Sequence, residues 1–175
     1  MLKIIAIVVA VAIVALLGYA ATKPNHFRVA RSTVIKAPPE KIYALIDDFH
    51  KWGAWSPYEK LDPAMTRTYG GPASGLGSSY AWSGNGKAGA GRMEIIEAAA
   101  PSKLVTSLDF TKPFEVHNKA IFTLVPEGEA TRVTWAMEGP SPFLFKVMDV
   151  IFNMDRMAGK DFETGLASLK AEAEK

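Results

Sequence analysis

The stretch VIKAPPEKIYALIDDFHKWGAWSP (34–57) changes its local preference three times. It opens on β-branched Val34 and Ile35, the end of an extended run, FRVARSTVIKA (27–37). Pro38-Pro39-Glu40 then starts a helix, because proline costs least in a first turn, where its missing N–H has no partner to lose. Ile42, Leu45, Ile46 and Phe49 recur at i, i+3, i+4 and i+7 and form one apolar stripe on a short helix. Trp52, Trp55 and Tyr58 follow on a segment broken by Gly53, Pro57 and Pro63, where neither helical nor strand periodicity accounts for them. Rings of this size on irregular backbone act as wedges, each able to bury roughly 150–250 Å² against a neighbouring layer.

Downstream, from Met65 to Glu138, the apolar period is two. Ser78, Tyr80 and Trp82 share a face, Met93 and Ile95 alternate with Arg92 and Glu94, and Leu104, Thr106, Leu108 and Phe110 share another. Ala120, Phe122 and Leu124, then Val133, Trp135 and Met137, continue the pattern, and Asn85-Gly86 reads as a tight hairpin turn. No helix long enough for a parallel crossover interrupts these strands, so the sheet is expected to be antiparallel. Helix returns at Ser141-Pro142, with one segment expected from Phe143 to about Met157, a bend at Gly159, and a stripe of Phe162, Leu166 and Leu169. The elements are those of an α+β chain, in which a curved sheet needs the terminal helix as its cover.

Upstream, Ile4 to Ala21 are 18 residues without a charge, flanked by Lys3 and Lys23 and stopped by Pro24. As a helix they reach roughly 27 Å, enough to cross a bilayer's hydrocarbon core. Residues 1–23 therefore read as a hydrophobic membrane anchor, with a cleavable signal sequence ending near Gly18-Tyr19-Ala20 as the alternative. Residues 24–175 read as the folded domain. The positive-inside rule, applied to Lys23, Arg28, Arg31 and Lys36, would keep that domain in the cytoplasm. The short leading tail instead favours a single-pass protein of the cell membrane with its domain exported to the periplasmic or extracellular side.

The chain has 20 Lys+Arg against 18 Asp+Glu, and two of those cations flank the anchor. What remains is balanced and carries no basic run, which argues against a nucleic-acid partner. The glycine-rich GGPASGLG (70–77) lacks the Lys-Ser/Thr of a phosphate-binding loop and leads into a strand, so it reads as a turn. His26, His50 and His117 are isolated from one another, no ligand spacing suggests a metal, and no cofactor is expected.

The element order resembles the helix-grip fold of the START-like superfamily, also termed SRPBCC, which includes polyketide cyclase/dehydrase proteins. The resemblance rests on residues 34–57 together with YGGPASGLGSSYAWSGN (69–85), GRMEI (91–95), TRVTW (131–135) and DFETGLASLK (161–170). It spans nearly all of residues 27–171, and similar bacterial chains also carry an N-terminal hydrophobic helix. It implies a curved antiparallel sheet wrapped around a long C-terminal helix, with an apolar cavity between them for a lipid, quinone or polyketide-like ligand. The inward positions by alternation, together with the edge of the aromatic turn, then give the expected lining: Trp55, Tyr58, Tyr80, Trp82, Leu108, Phe110, Phe122, Trp135 and Met137. Trp52 reads as a packing residue.

PFLFKVMDVIFNM (142–154) is apolar over well more than half of the helical wheel, leaving a narrow arc for Lys146, Asp149, Asn153 and Arg156. One face, carrying Met148 and Phe152, is expected to cover the pocket while the other meets membrane, partner or ligand; a buried connecting helix is the alternative. Catalytic signatures are absent. Tyr80, Asp109, Glu115 and His117 are titratable groups near strand ends, read as solvated surface because no spacing brings them together. Three functions follow in order: a membrane-anchored domain that binds a hydrophobic small molecule, a cyclase/dehydratase-type enzyme on the same scaffold, and an interaction module docking a membrane protein through residues 142–157. The enzyme reading requires titratable groups aimed into the cavity.

Overall fold

The computed structural model of the chain describes residues 1–175. Helix α1 (Leu2–Thr22) is followed by strand β1 (His26–Ile35), helix α2 (Pro39–Ile46) and the one-turn helix α3 (Trp52–Trp55), which is set between two 3-10 turns, Phe49–Lys51 and Pro57–Lys60. Strands β2 (Thr66–Gly70), β3 (Ser79–Ser83), β4 (Ala90–Ala99), β5 (Lys103–Lys112), β6 (Val116–Glu127) and β7 (Ala130–Pro140) come next, and helices α4 (Phe143–Phe152) and α5 (Met154–Ala173) close the chain. The seven strands form one antiparallel sheet in the order β1-β7-β6-β5-β4-β3-β2. It is the expected helix-grip architecture: a curved open sheet, a long C-terminal helix across its concave face and an apolar N-terminal helix. A register shift between Ile95 and Glu97 on β4 adds to the bend, as a bulge does by locally increasing twist.

The aromatic segment has a specific task. The last carbonyls of α2 lack intrahelical donors. Trp52 Nε1 donates to the Ile46 carbonyl and Trp55 Nε1 to that of Leu45, each at 3.0 Å. The indoles thus cap the helix and, by tilting against each other at a centroid distance of 4.9 Å, fill the space between it and the sheet. Trp55 meets Phe122 and Trp135 edge-on at 6.0 and 5.6 Å, and Trp135 stacks on Phe162 of α5 at 4.3 Å with 9° between ring planes. This approach of helix to sheet requires Gly165, where a Cβ would sit 2.6 Å from Trp135 Cζ3 and 3.0 Å from Pro57 Cδ.

Three local expectations are corrected. The β3–β4 connection is not a two-residue turn at Asn85-Gly86 but a six-residue loop, Gly84 to Gly89. Its geometry comes from the Asn85 side chain, whose Oδ1 accepts from the backbone N–H groups of Lys87 and Ala88. The C-terminal helix breaks at Asn153 (φ 51°) rather than bending at Gly159. Asparagine tolerates this left-handed conformation, and its Oδ1 caps the new helix by accepting from Arg156 N. Gly159 instead makes room for Arg31, which crosses it to bond Glu163 and Asp155 and so pins α5 to β1.

The glycine-rich loop is a turn, as expected: Gly77 N donates to the Ile95 carbonyl and Gly75 N to that of Asp47. Replacing Gly165 by valine is expected to lower the unfolding free energy by about 1–3 kcal/mol, because the added methyls must displace Trp135 or Pro57. Urea denaturation of the detergent-solubilised chain measures it.

Candidate functional site: an apolar cavity with a polar rim

Cross-strand rows explain where the interior is solid and where it is hollow. Leu104, Phe122 and Trp135 are paired across β5, β6 and β7, and these large side chains fill their share of the concave face. The next row pairs Thr106, Ala120 and Met137, and the one after begins with Leu108 opposite Asn118. Of these, Ala120 is too small to reach α5 across a curved sheet, and it lies in the wall of a cavity of about 500 Å³, fourteen of whose eighteen lining residues are hydrophobic.

Of the residues expected to line it, Tyr58, Tyr80, Trp82, Leu108, Phe110, Trp135 and Met137 are brought together there. Trp55 and Phe122 are not: both are fully buried, packed into the solid half behind Trp135. Met148 and Phe152 are also absent from the lining, because the break at Asn153 releases α4 from the path of α5 and sets it against α1. The expectation that residues 142–154 cover the pocket is therefore corrected. The cover is α5, through Asp161 and Phe162, together with the aromatic turn. Trp52, read as a packing residue, does both jobs, capping α2 and closing one end of the cavity.

Periodicity missed the polar members: Ser56, Glu59, Lys87 and Asp161. Glu59 lies on a 3-10 turn and Lys87 on the hairpin loop, where no repeat predicts direction. Asp161 stands beside Phe162 on α5, so a turn-by-turn reading of the apolar stripe passed over it. Glu59 is internally satisfied: Tyr80 Oη donates to its Oε1 at 2.5 Å and Arg67 Nε to its Oε2 at 2.7 Å. This network ties the aromatic turn to β2 and β3. Burial, and then the hydrogen bond to Glu59, drive the Tyr80 phenol upward, so it stays a proton donor. Tyr80 is thus buried in the cavity wall, where its alternation put it, and not at the solvated surface that its place near a strand end suggested.

Asp161 and Tyr58 are arranged differently. Desolvation raises the Asp161 carboxyl above its ordinary range, with Lys160 opposing. Burial raises the Tyr58 phenol as well, and the charge of Asp161 adds to the rise. Together they give the apolar space one hydrogen-bonding rim. Asp109, Glu115 and His117 lie elsewhere, on the opposite face of the sheet from Leu108 and Phe110, where His117 Nδ1 pairs with Asp109 at 2.7 Å. They are surface groups, as expected, and no trio of His, Cys, Asp or Glu side chains forms a metal site.

An antiparallel helix-grip domain with an apolar cavity defines a class of small-molecule-binding and cyclase-like proteins. The chain belongs to the family of polyketide cyclases/dehydrases and lipid-transport proteins, which residues 26–174 match. Solved structures share the fold at low identity. Protein CV1439 from Chromobacterium violaceum is 16% identical with a TM-score of 0.59, over 87% of this chain and 99% of that one. MLL2253 from Mesorhizobium loti is 16% identical with a TM-score of 0.61, over 83% and 95%. The Aha1 dimer from Colwellia psychrerythraea is 20% identical with a TM-score of 0.59, over 85% and 96%. Comparison with curated proteins yields no match.

The raised Asp161 carboxyl has a thermodynamic consequence. Its folded-state proton affinity exceeds the unfolded one, so the ionised form costs stability above the folded pKa, and that cost is absent below about pH 3.9, where both states are protonated. Asp161→Asn is expected to raise the melting temperature at pH 7 and to leave it unchanged in the acid range, as measured by thermal melts across pH.

Proposed function

We propose that the chain is a membrane-tethered binding protein that holds a hydrophobic small molecule of the lipid, quinone or polyketide-like class in its cavity. One observation carries this reading: about 500 Å³ of apolar space stays open between the sheet and α5, with Ala120 in its wall where a larger side chain would fill it. A space of that size matches the low end of ligand pockets, roughly 300–1,000 Å³, and an apolar lining with few polar groups is their usual composition. The tether is α1, a helix of 21 residues, long and apolar enough to cross a membrane. Such ligands partition into lipid, so anchoring the cavity beside a bilayer shortens the path between store and carrier. The rim formed by Tyr58 and Asp161 supports an amphiphilic ligand, one that presents a hydroxyl or carbonyl at one end of an apolar body.

Ala120→Leu places a larger side chain in the hollow row. It is expected to abolish recovery of bound lipophile while leaving the fold intact and the melting temperature unchanged or raised. Organic extraction of the purified full-length protein followed by mass spectrometry, with circular dichroism as the folding control, reads both. Failure to recover any lipophile from the parent chain sinks the proposal.

The cyclase/dehydratase reading has one observation in its favour: titratable groups do face the cavity, with Asp161 and Tyr58 displaced from their ordinary ranges. It separates from the binding reading by turnover. An enzyme converts a polyketide-like substrate and loses the conversion in Asp161→Asn and Tyr58→Phe while still binding it. A carrier returns the ligand unchanged.

A further inference from the structure

Helix α4 is amphipathic in the reverse sense. A surface helix of a water-soluble domain turns its charges outward and its apolar stripe to the core. Here the two charged residues face the protein: Lys146 is buried and its Nζ donates to Asn25 Oδ1 at 2.6 Å, and Asp149 pairs with Lys23. That ion pair holds the Asp149 carboxyl below its usual range. At 100° per residue Phe143, Val147, Ile151, Leu144, Met148 and Phe152 occupy one continuous half of the wheel, and Leu144 and Ile151 are 61% and 57% exposed. An apolar face of this width does not stand in water without an occupant.

Its position names the occupant. Helix α4 packs against α1 and not across the cavity. The residues of α1 with reduced exposure in its second half are Leu16 and Ala20, one turn apart, and Ala20 is the only buried residue of the helix. Leu16 lies six residues before Thr22, so on the rise of a helix this contact reaches about 9 Å into the apolar segment. If α1 is in a bilayer, whatever surrounds its last turns also surrounds the outer face of α4. We infer that α4 is a second, interfacial membrane element, lying in the headgroup and upper acyl region beside the end of α1, with lipid and not a protein partner on its exposed face. The Lys23–Asp149 and Lys146–Asn25 bonds then act as a clasp that fixes how the domain sits on the bilayer. This rests on the reading of α1 as a membrane tether.

The chain has no cysteine, so single cysteines can be introduced and labelled without background. Full-length protein carrying Leu144→Cys, Ile151→Cys, Val8→Cys or Val125→Cys, labelled with an environment-sensitive fluorophore, is reconstituted in phosphatidylethanolamine/phosphatidylglycerol vesicles containing brominated lipids. Loss of fluorescence is expected at positions 144 and 151, strongest with bromine placed near the headgroup, and at position 8 with bromine deep in the chain. Val125, exposed on the sheet, is expected to keep its signal. Quenching at 8 with none at 144 and 151 overturns the inference and leaves the tether standing, whether the face is then covered by a second copy or by nothing. Quenching at none of the three removes the tether and the inference together. Each cysteine replaces an exposed side chain, and circular dichroism of every labelled variant confirms that its fold is retained.

Discussion

The structure depends on one contact, the stack of Trp135 on Phe162 above Gly165. It sets the distance between α5 and the sheet, and everything on either side follows from that distance. Behind it, large residues close the gap: Phe122 stacks on Trp135, and Ile42, Ile46, Leu166 and Leu169 are buried around them. Ahead of it the same spacing meets Ala120, which cannot bridge it, and the interior opens. Solid core and cavity are thus two outcomes of one helix height over rows of different side-chain size. The stack acts as a partition that keeps a hollow from weakening the packing behind it.

That division explains what could be read in advance. Alternation marks the face of each strand residue, so Tyr80, Trp82, Leu108, Phe110 and Met137 were legible as inward. It says nothing about depth along the strand. Phe122 points the same way as its neighbours but falls behind the partition, and only strand pairing shows that it shares a row with Leu104 and Trp135. Trp55, on α3, packs edge-on against Phe122 and Trp135 there. The rim was hidden for another reason. Glu59 sits on a 3-10 turn whose direction is fixed by Tyr80 and Arg67, partners 21 and 8 residues away in the chain. The helix break at Asn153 was missed because a hydrophobic wheel is blind to φ, and Asn is one of the few residues that passes through the left-handed region at little cost.

The rim also carries an energetic argument. Glu59 is satisfied by its neighbours and therefore has a sufficient structural reason to be there. Asp161 does not: its side chain is exposed and bonds no protein group, yet it stands in the wall of the cavity. A carboxyl placed there without a protein partner is free to meet a ligand. The weight of the site therefore falls on the Asp161–Tyr58 end, where a ligand's polar group would supply the hydrogen bonds that the protein leaves open.

If α1 is the proposed tether, then tether and cavity are one device and not two. The chain enters β1 directly from α1 through Lys23 and Asn25, and both residues are bonded to α4, which in turn leads through Asn153 into the helix that covers the cavity. A continuous bonded path therefore runs from the apolar helix α1 to Phe162 without an unstructured linker. A free leash would let the domain sample all orientations and present its cavity to lipid only part of the time. On that reading the clasp would restrict the rotation, and the outward face of α4 would make the restriction favourable, because turning the domain away from the bilayer would expose Leu144 and Ile151 to water.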